Sequence, residues 1–255
     1  MFTPTRPAPA ILRTLREQIA RIERGGLADR PTRIIPLGIP LGIPAIARAL
    51  PGGGLATGAL HEVAGGGADT EHAAAATLFA AGLLARLPGM VLWVVAQTDL
   101  FAPGLAGAGL HPDRVIFAES GKDVLPVLED GLHHSGLAAV VGEISGRLTL
   151  VASRRLQLAA EQTGVLAIAL RRSRRFDDPA LREPTAAVTR WRVTTLPSPP
   201  ALPHSPATPG LGRARWRLEL LRCRGGETGS WIVAACDEAG CLGEDVGDDA
   251  ERRSA

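Results

Sequence analysis

Lysine is almost missing from this 255-residue chain: of its 28 basic residues one is Lys122 and the other 27 are Arg, a skew we read as coding bias. Any chemistry that needs a lysine must use position 122. Cysteine is scarce as well, with three residues at 223, 236 and 241, an odd number containing no C-x-x-C pair. That argues against a zinc site or a disulfide framework and fits a reducing cytoplasm. No apolar run reaches the roughly 18 residues that cross a bilayer. The first ten residues, MFTPTRPAPA, lack the apolar core and small-residue cleavage site of a secretory signal. The expectation is a cytoplasmic protein without membrane contact. Net charge is only +2, so nucleic-acid binding would need a local patch. What remains is ordinary: 45% hydrophobic and 21% charged residues, enough chain for a real core.

Ile11, Leu12, Leu15, Ile19 and Ile22 recur at steps of three and four, which predicts an amphipathic helix within residues 1–30, ending at Gly25-Gly26. Its stripe either packs on the chain's own core or docks on a neighbouring subunit. PLGIPLGIP at 36–44 is a local duplication, too short for a solenoid. Between 58 and 170 short β-rich runs (59–63, 90–95, 114–118, 137–141, 165–170) alternate with helical patterns (70–86, 99–108, 122–134, 148–163). That alternation predicts βαβ units and an α/β fold with a mostly parallel sheet covered on both faces. After 189 strands follow without helices (191–196, 215–223, 230–235), an antiparallel extension interrupted by a loop with six prolines in residues 197–210. The expected layout is thus a helix at 1–30, a core at 31–236 and a tail at 237–255. With seven acidic residues against two Arg, the tail is expected to be disordered.

Residues 58–72, GALHEVAGGGADTEH, have the strand, glycine-rich turn and helix start of a P-loop. A working P-loop reads G-x-x-x-x-G-K-[ST], the Lys reaching the phosphates and the hydroxyl binding Mg²⁺. Counted from Gly65, with Gly66 and Gly67 in the turn, the second glycine falls on Thr70, the Lys on Glu71 and the Ser/Thr on His72. A carboxylate about 4 Å from a phosphate costs roughly the 4 kcal/mol that an ammonium would gain there. Ser120-Gly121-Lys122-Asp123 does not substitute, because no glycine stands five residues before Gly121 and Asp123 replaces the hydroxyl; it reads as a solvated helix start.

The order of an amphipathic helix, the GGGLATGALHEV lead-in and a βαβ series resembles RecA. LPGGGLATGALHEV, the altered P-loop, SRRLQLAAE, TRWRV and GRARWRLELLRCRGG together resemble the ImuA family, RecA-like accessory factors of error-prone translesion synthesis induced by DNA damage. The resemblance spans about residues 10–235 and implies a RecA-like core. The activating Glu after the second core strand would be Gln97, which orients water but takes no proton. The Mg²⁺-holding Asp would be Gly142, with Glu143 one step on and expected on the opposite face. It implies no catalytic residues, no cofactor and no metal. Its partners would be an ImuB-like inactive Y-family polymerase homologue and an error-prone C-family DNA polymerase, with RecA and single-stranded DNA as further candidates, near the nucleoid when engaged. Ile11, Leu12, Leu15, Ile19 and Ile22 would dock on a RecA-type neighbour or a second copy.

Arg171, Arg172, Arg174 and Arg175 follow a core strand where RecA-like proteins place a DNA-contacting loop. They are candidate DNA contacts, or a solvated loop paired with Asp177, Asp178 and Glu183. Arg190-Trp191-Arg192 and Arg215-Trp216-Arg217 repeat on consecutive strands, with alternation burying each Trp; exposed indoles would instead offer base stacking. His61 and Glu62 point to opposite faces, and His72, His111, His133 and His134 lack metal-site spacing. Two alternatives stand beside a non-catalytic adaptor: a DNA- or RecA-filament-binding modulator, and a residual ATPase using the glycine turn.

Overall fold

The computed structural model describes residues 34–36, 43–202 and 204–244. The expected helix at 1–30 and its five docking residues lie outside them, as do residues 245–255. The strands are β1 (Ile34–Pro36), β2 (Gly54–Ala56), β3 (Leu60–Gly65), β4 (Met90–Val95), β5 (Val115–Glu119), β6 (Leu137–Ser145), β7 (Leu166–Arg172), β8 (Thr189–Leu196), β9 (Arg215–Cys223), β10 (Gly229–Ala234) and β11 (Gly243–Glu244). The helices are α1 (Pro44–Ala49), α2 (Asp69–Ala85), α3 (Val124–Leu132) and α4 (Leu150–Thr163).

β1 and β2 form a separate antiparallel pair. The other nine strands make one sheet in the order β11-β10-β9-β8-β3-β7-β6-β4-β5. From β8 to β5 all neighbours are parallel, and β9, β10 and β11 extend the sheet antiparallel. The α/β expectation holds, with β8 a parallel partner of β3 rather than the start of the antiparallel part.

Period-two alternation splits the core between two faces. Val63, Trp93, Val141, Ile168 and Trp191 meet α1 and α2 on one side; Leu60, Val94, Val140, Ala167 and Ala169 meet α3 and α4 on the other. α2 is rich in alanine and lies close to the sheet, with Phe79 against Trp191 at a centroid distance of 5.4 Å. α4 is bounded by Thr149, whose hydroxyl accepts from the Ala152 N–H at 3.2 Å, and by Gly164, whose φ of 79° suits a left-handed cap.

Two expectations fail. Residues 99–108 form a 3₁₀ segment, Ala102–Ala108, instead of an α-helix; Pro103, Gly104 and Gly107 interrupt the helical ladder. The chain beyond 236 is folded at least to Glu244. Asp237 Oδ1 accepts from the backbone N–H groups of Ala239 and Cys241, Leu242 is buried, and β11 pairs with β10. Arg86 and Arg213 also donate to the Gly240 and Cys241 carbonyls, so charged side chains from elsewhere in the chain help to hold this polar segment.

Candidate functional site

The carboxyl ends of β4, β6 and β7 and the start of α2 surround a polar cleft of about 400 Å³. This is where open α/β sheets bind ligands. Arg172, Arg174 and Arg175 line it, and Arg172 makes the ion pairs with its carboxylates. Arg172, at the end of β7, reaches Asp69 at 3.1 Å, Asp99 at 3.0 Å and Glu143 at 3.1 Å. Asp69, in the first turn of α2, also accepts from the Ser173 N–H at 3.0 Å, fixing β7 to the helix start. Glu143 is nearly enclosed and accepts the indole N–H of Trp93 at 3.0 Å. Burial pushes its carboxyl above the ordinary range, against the opposing pull of Arg172 and Trp93.

Glu143 corrects the strand-face expectation. It shares the α2 side of β6 with Ala139 and Val141, whereas Gly142 faces α3, where an added Cβ would lie 2.8 Å from Leu128 Cδ2. The carboxylate at the cleft is thus one position later than the resemblance placed it, and Gly142 is a packing residue. Gln97 does line the cleft, exposed at its rim.

The glycine turn holds its own histidine. A Cβ on Gly65 would lie 2.9 Å from His72 Cβ, and one on Gly67 3.0 Å from the His72 ring, while Gly66 closes on Thr194. The imidazole is buried, bonded through Nδ1 to Thr195 Oγ1 at 2.8 Å, with Nε2 3.5 Å from the Glu71 carboxylate. Thr70 and Glu71 are exposed. The turn therefore packs against protein at each glycine.

The four arginines after β7 separate. Arg171 is buried, paired with Glu62 at 3.1 Å and donating to the Gly146 carbonyl at 2.6 Å. Arg190 joins the same carboxylate at 3.2 Å, and the Thr185 hydroxyl donates to it. Arg171 and Arg172 are therefore engaged in ion pairs within the protein, whereas Arg174 and Arg175 are exposed, beside Phe176 at 78% exposure. The expected loop pairing is also rearranged: Asp177 pairs with Arg182 and Glu183 with Arg147. Trp191 and Trp216 are buried, which removes both as stacking platforms. His61 and Glu62 face opposite sides; His61 bonds Thr189 and the Ala56 carbonyl, and burial lowers its pKa to about 4. Among the described residues no group of three or more His, Cys, Asp or Glu is disposed to hold a metal. Nor is any described helix long and apolar enough to cross a membrane.

Asp69 and Asp99 were not singled out from sequence. Their only signal was position, Asp69 in the first turn of a helix and Asp99 two residues after Gln97.

No protein-family model matches the sequence. The chain is 42% identical over 212 residues to the protein ImuA of Caulobacter vibrioides strain NA1000, covering 79% of this chain and 84% of that protein. The same figures hold for ImuA of a second C. vibrioides strain, ATCC 19089. The chain belongs to the ImuA family. Among solved structures, the RadB recombinase superposes with a TM-score of 0.53 at 20% identity, covering 76% of this chain and 94% of RadB. The flagellar accessory protein FlaH of Methanocaldococcus jannaschii gives 0.53 at 11% identity, over 84% and 100%. At such identities the likeness is one of fold, and the fold of this ImuA-family chain is RecA-like.

Proposed function

We propose that this chain is a non-catalytic RecA-like adaptor of the DNA-damage response, which helps to assemble an error-prone translesion complex. Family membership supports the setting. The observation that carries the non-catalytic part is Arg172: a guanidinium fixed on β7 pairs with Asp69, Asp99 and Glu143, where a P-loop enzyme would deploy a mobile metal and a loop lysine. Glu71 and His72 stand at the positions of that lysine and hydroxyl. The partners proposed are an ImuB-like inactive Y-family polymerase homologue and a C-family polymerase, with Ile11, Leu12, Leu15, Ile19 and Ile22 as the docking stripe.

Two measurements test the halves separately. Calorimetry with ATP and Mg²⁺ should show no heat and a hydrolysis assay no turnover; measurable turnover abolished by Glu143→Gln overturns the non-catalytic reading. Co-purification with the polymerase homologue should be lost on Leu15→Asp/Ile19→Asp in a folded variant; retention removes the docking assignment.

A second reading rests on Arg174, Arg175 and Phe176, an exposed pair of guanidinium groups beside an exposed ring. It assigns this loop to single-stranded DNA or a RecA filament. Salt-sensitive DNA binding lost in Arg174→Ala/Arg175→Ala supports it, and binding indifferent to that change refutes it.

A further inference from the structure

Two guanidinium groups share one carboxylate on the side of the sheet away from α2. β7 and β8 flank β3, so Arg171 and Arg190 approach Glu62 from opposite sides, Arg171 at Oε2 and Arg190 at Oε1. Arg171 Nη2 also donates to the Gly146 and Ala180 carbonyls, and Arg190 Nη2 to the Glu183 carbonyl. The Nε–H of each arginine is buried and has no partner among the described residues. The Arg171 side chain is only 1% exposed, so solvent at the surface does not satisfy that donor. Arginine offers donors and no acceptor, and a buried donor left unpaired is destabilising.

Both arginines line one cavity of about 90 Å³. Ala64 makes room for it: two residues after Glu62 on the same face, and in register with Arg171, it carries only a methyl group. Phe176 and Leu221 also line the cavity and are exposed, so its rim is open and partly apolar. The other charges around it are matched within the protein. Arg182 pairs with Asp177, Arg192 with Glu219, and Asp178 accepts from the Ser173 hydroxyl and the Ala180 N–H. The space equals about three waters, well under the roughly 300–1,000 Å³ of a pocket for a cofactor.

We propose that this cavity binds a small carboxylate, whose oxygens accept the Nε–H groups of Arg171 and Arg190. Glu62 does not serve them, because its Oε1 already accepts from Arg190 Nη2 and the Thr185 hydroxyl, and its Oε2 from Arg171 Nη1. A water would bring two protons of its own to this place. A carboxylate brings acceptors only, and it gives the second guanidinium the counter-charge that a shared Glu62 leaves it without. Phe176 and Leu221 offer apolar ground to a short aliphatic stem, whereas a doubly charged phosphate would also meet Asp177 and Asp178. The carboxylate is either a free anion or an acidic side chain that a partner inserts through the open rim.

The test follows the melting temperature of the full-length protein, with sodium fluoride holding ionic strength constant. Sodium propionate at ten times its dissociation constant should raise the melting temperature by about 3–6 °C, and the neutral isostere propionamide should not. Arg190→Lys keeps a cation beside Glu62 but removes one Nε donor, and it should abolish the response. Ala64→Val fills the cavity and leaves both arginines in place; it should do the same, and it carries the test if Arg190→Lys disturbs folding. Arg154→Ala, on α4, should respond like the parent. A blocked Ala-Glu-Ala tripeptide separates the sources. If it displaces propionate, the site takes a partner's acidic side chain; if it does not, the site takes a free anion, and the carboxylate chemistry stands either way. No shift with propionate or the peptide, an equal shift with propionamide, or a response retained by both variants overturns the proposal, since ordered water then satisfies the two donors.

Discussion

Replacing Arg172 with Met should destabilise the fold by about 3 kcal/mol at pH 7.5, and lowering the pH should return part of the loss. Three carboxylates contact this guanidinium at 3.0–3.1 Å, but they do not count equally. The Asp99 side chain is 51% exposed, so solvent screens that pair and it contributes little. Glu143 is 5% exposed and Asp69 19%. Stripping a buried carboxylate of its cation costs about 3–5 kcal/mol, and the lower figure applies because Trp93 and Ser173 still donate to Glu143 and Asp69. With an m-value of about 2–3 kcal/mol/M, the urea midpoint should fall by about 1–1.5 M.

The pH arm follows from linkage. Burial already holds Glu143 above the ordinary value of 4.5 in the folded state, and losing Arg172 must raise it further. A carboxyl raised on folding binds its proton more tightly in the native state. Stability is therefore fullest below the unfolded value and falls as pH rises towards the folded one. Relative to the parent, the variant should regain about 1.4 kcal/mol for each pH unit travelled down within that window. Comparison with the parent at each pH removes other titrating groups. Adding Glu143→Gln to Arg172→Met should recover about 2 kcal/mol at pH 7.5. A deficit independent of pH, or a double variant no more stable than the single one, would refute the reasoning.

Other perturbations follow from neighbouring geometry. His61 is buried with its pKa lowered from 6.5 to about 4, so its contribution is complete above pH 6.5 and drains as pH falls towards 4; His61→Gln should flatten that part of a urea-midpoint profile. Gly82→Ala would bring a Cβ to 2.3 Å from Cys236 Sγ, so the clash should outweigh a helix-propensity gain of about 1 kcal/mol and lower the melting temperature. Leu242→Asp should release β11 and make residues 237–244 the first site of limited proteolysis, while the remaining core resists.

Much of the sheet was legible because its strands are buried on alternate or both faces between glycine and proline breaks. β4 and β9 have the very bounds that the pattern predicts, 90–95 and 215–223. The site was less legible, for a local reason. β7 runs to Arg172, two residues beyond its apolar run, so Arg171 and Arg172 inherit the strand's alternation and go to opposite faces. Their destinations, Glu62 and the Asp69–Asp99–Glu143 group, lie 109 and up to 103 residues away in sequence. No window could connect them. Glu143 shows the same limit, since its face depends on where β6 begins its alternation against α2.

On the proposed reading, the source of the positive charge matters more than its presence. In a P-loop enzyme much of that charge arrives with the ligand and leaves after hydrolysis, so the carboxylates around it report a state. Arg172 is covalently part of β7, and its partners tie together β6, the start of α2 and the segment after β4. A cation held in this way stays in the cleft whether or not a ligand is present. On this reading the same bonds tie the carboxyl end of the sheet together without a nucleotide, which suits a scaffold whose outer surfaces do the recognising. A chain of this kind should therefore bind its partners with an affinity that ATP, ADP and Mg²⁺ leave unchanged. A nucleotide-dependent shift in partner binding would show that the cleft still switches, and that Arg172 moves aside.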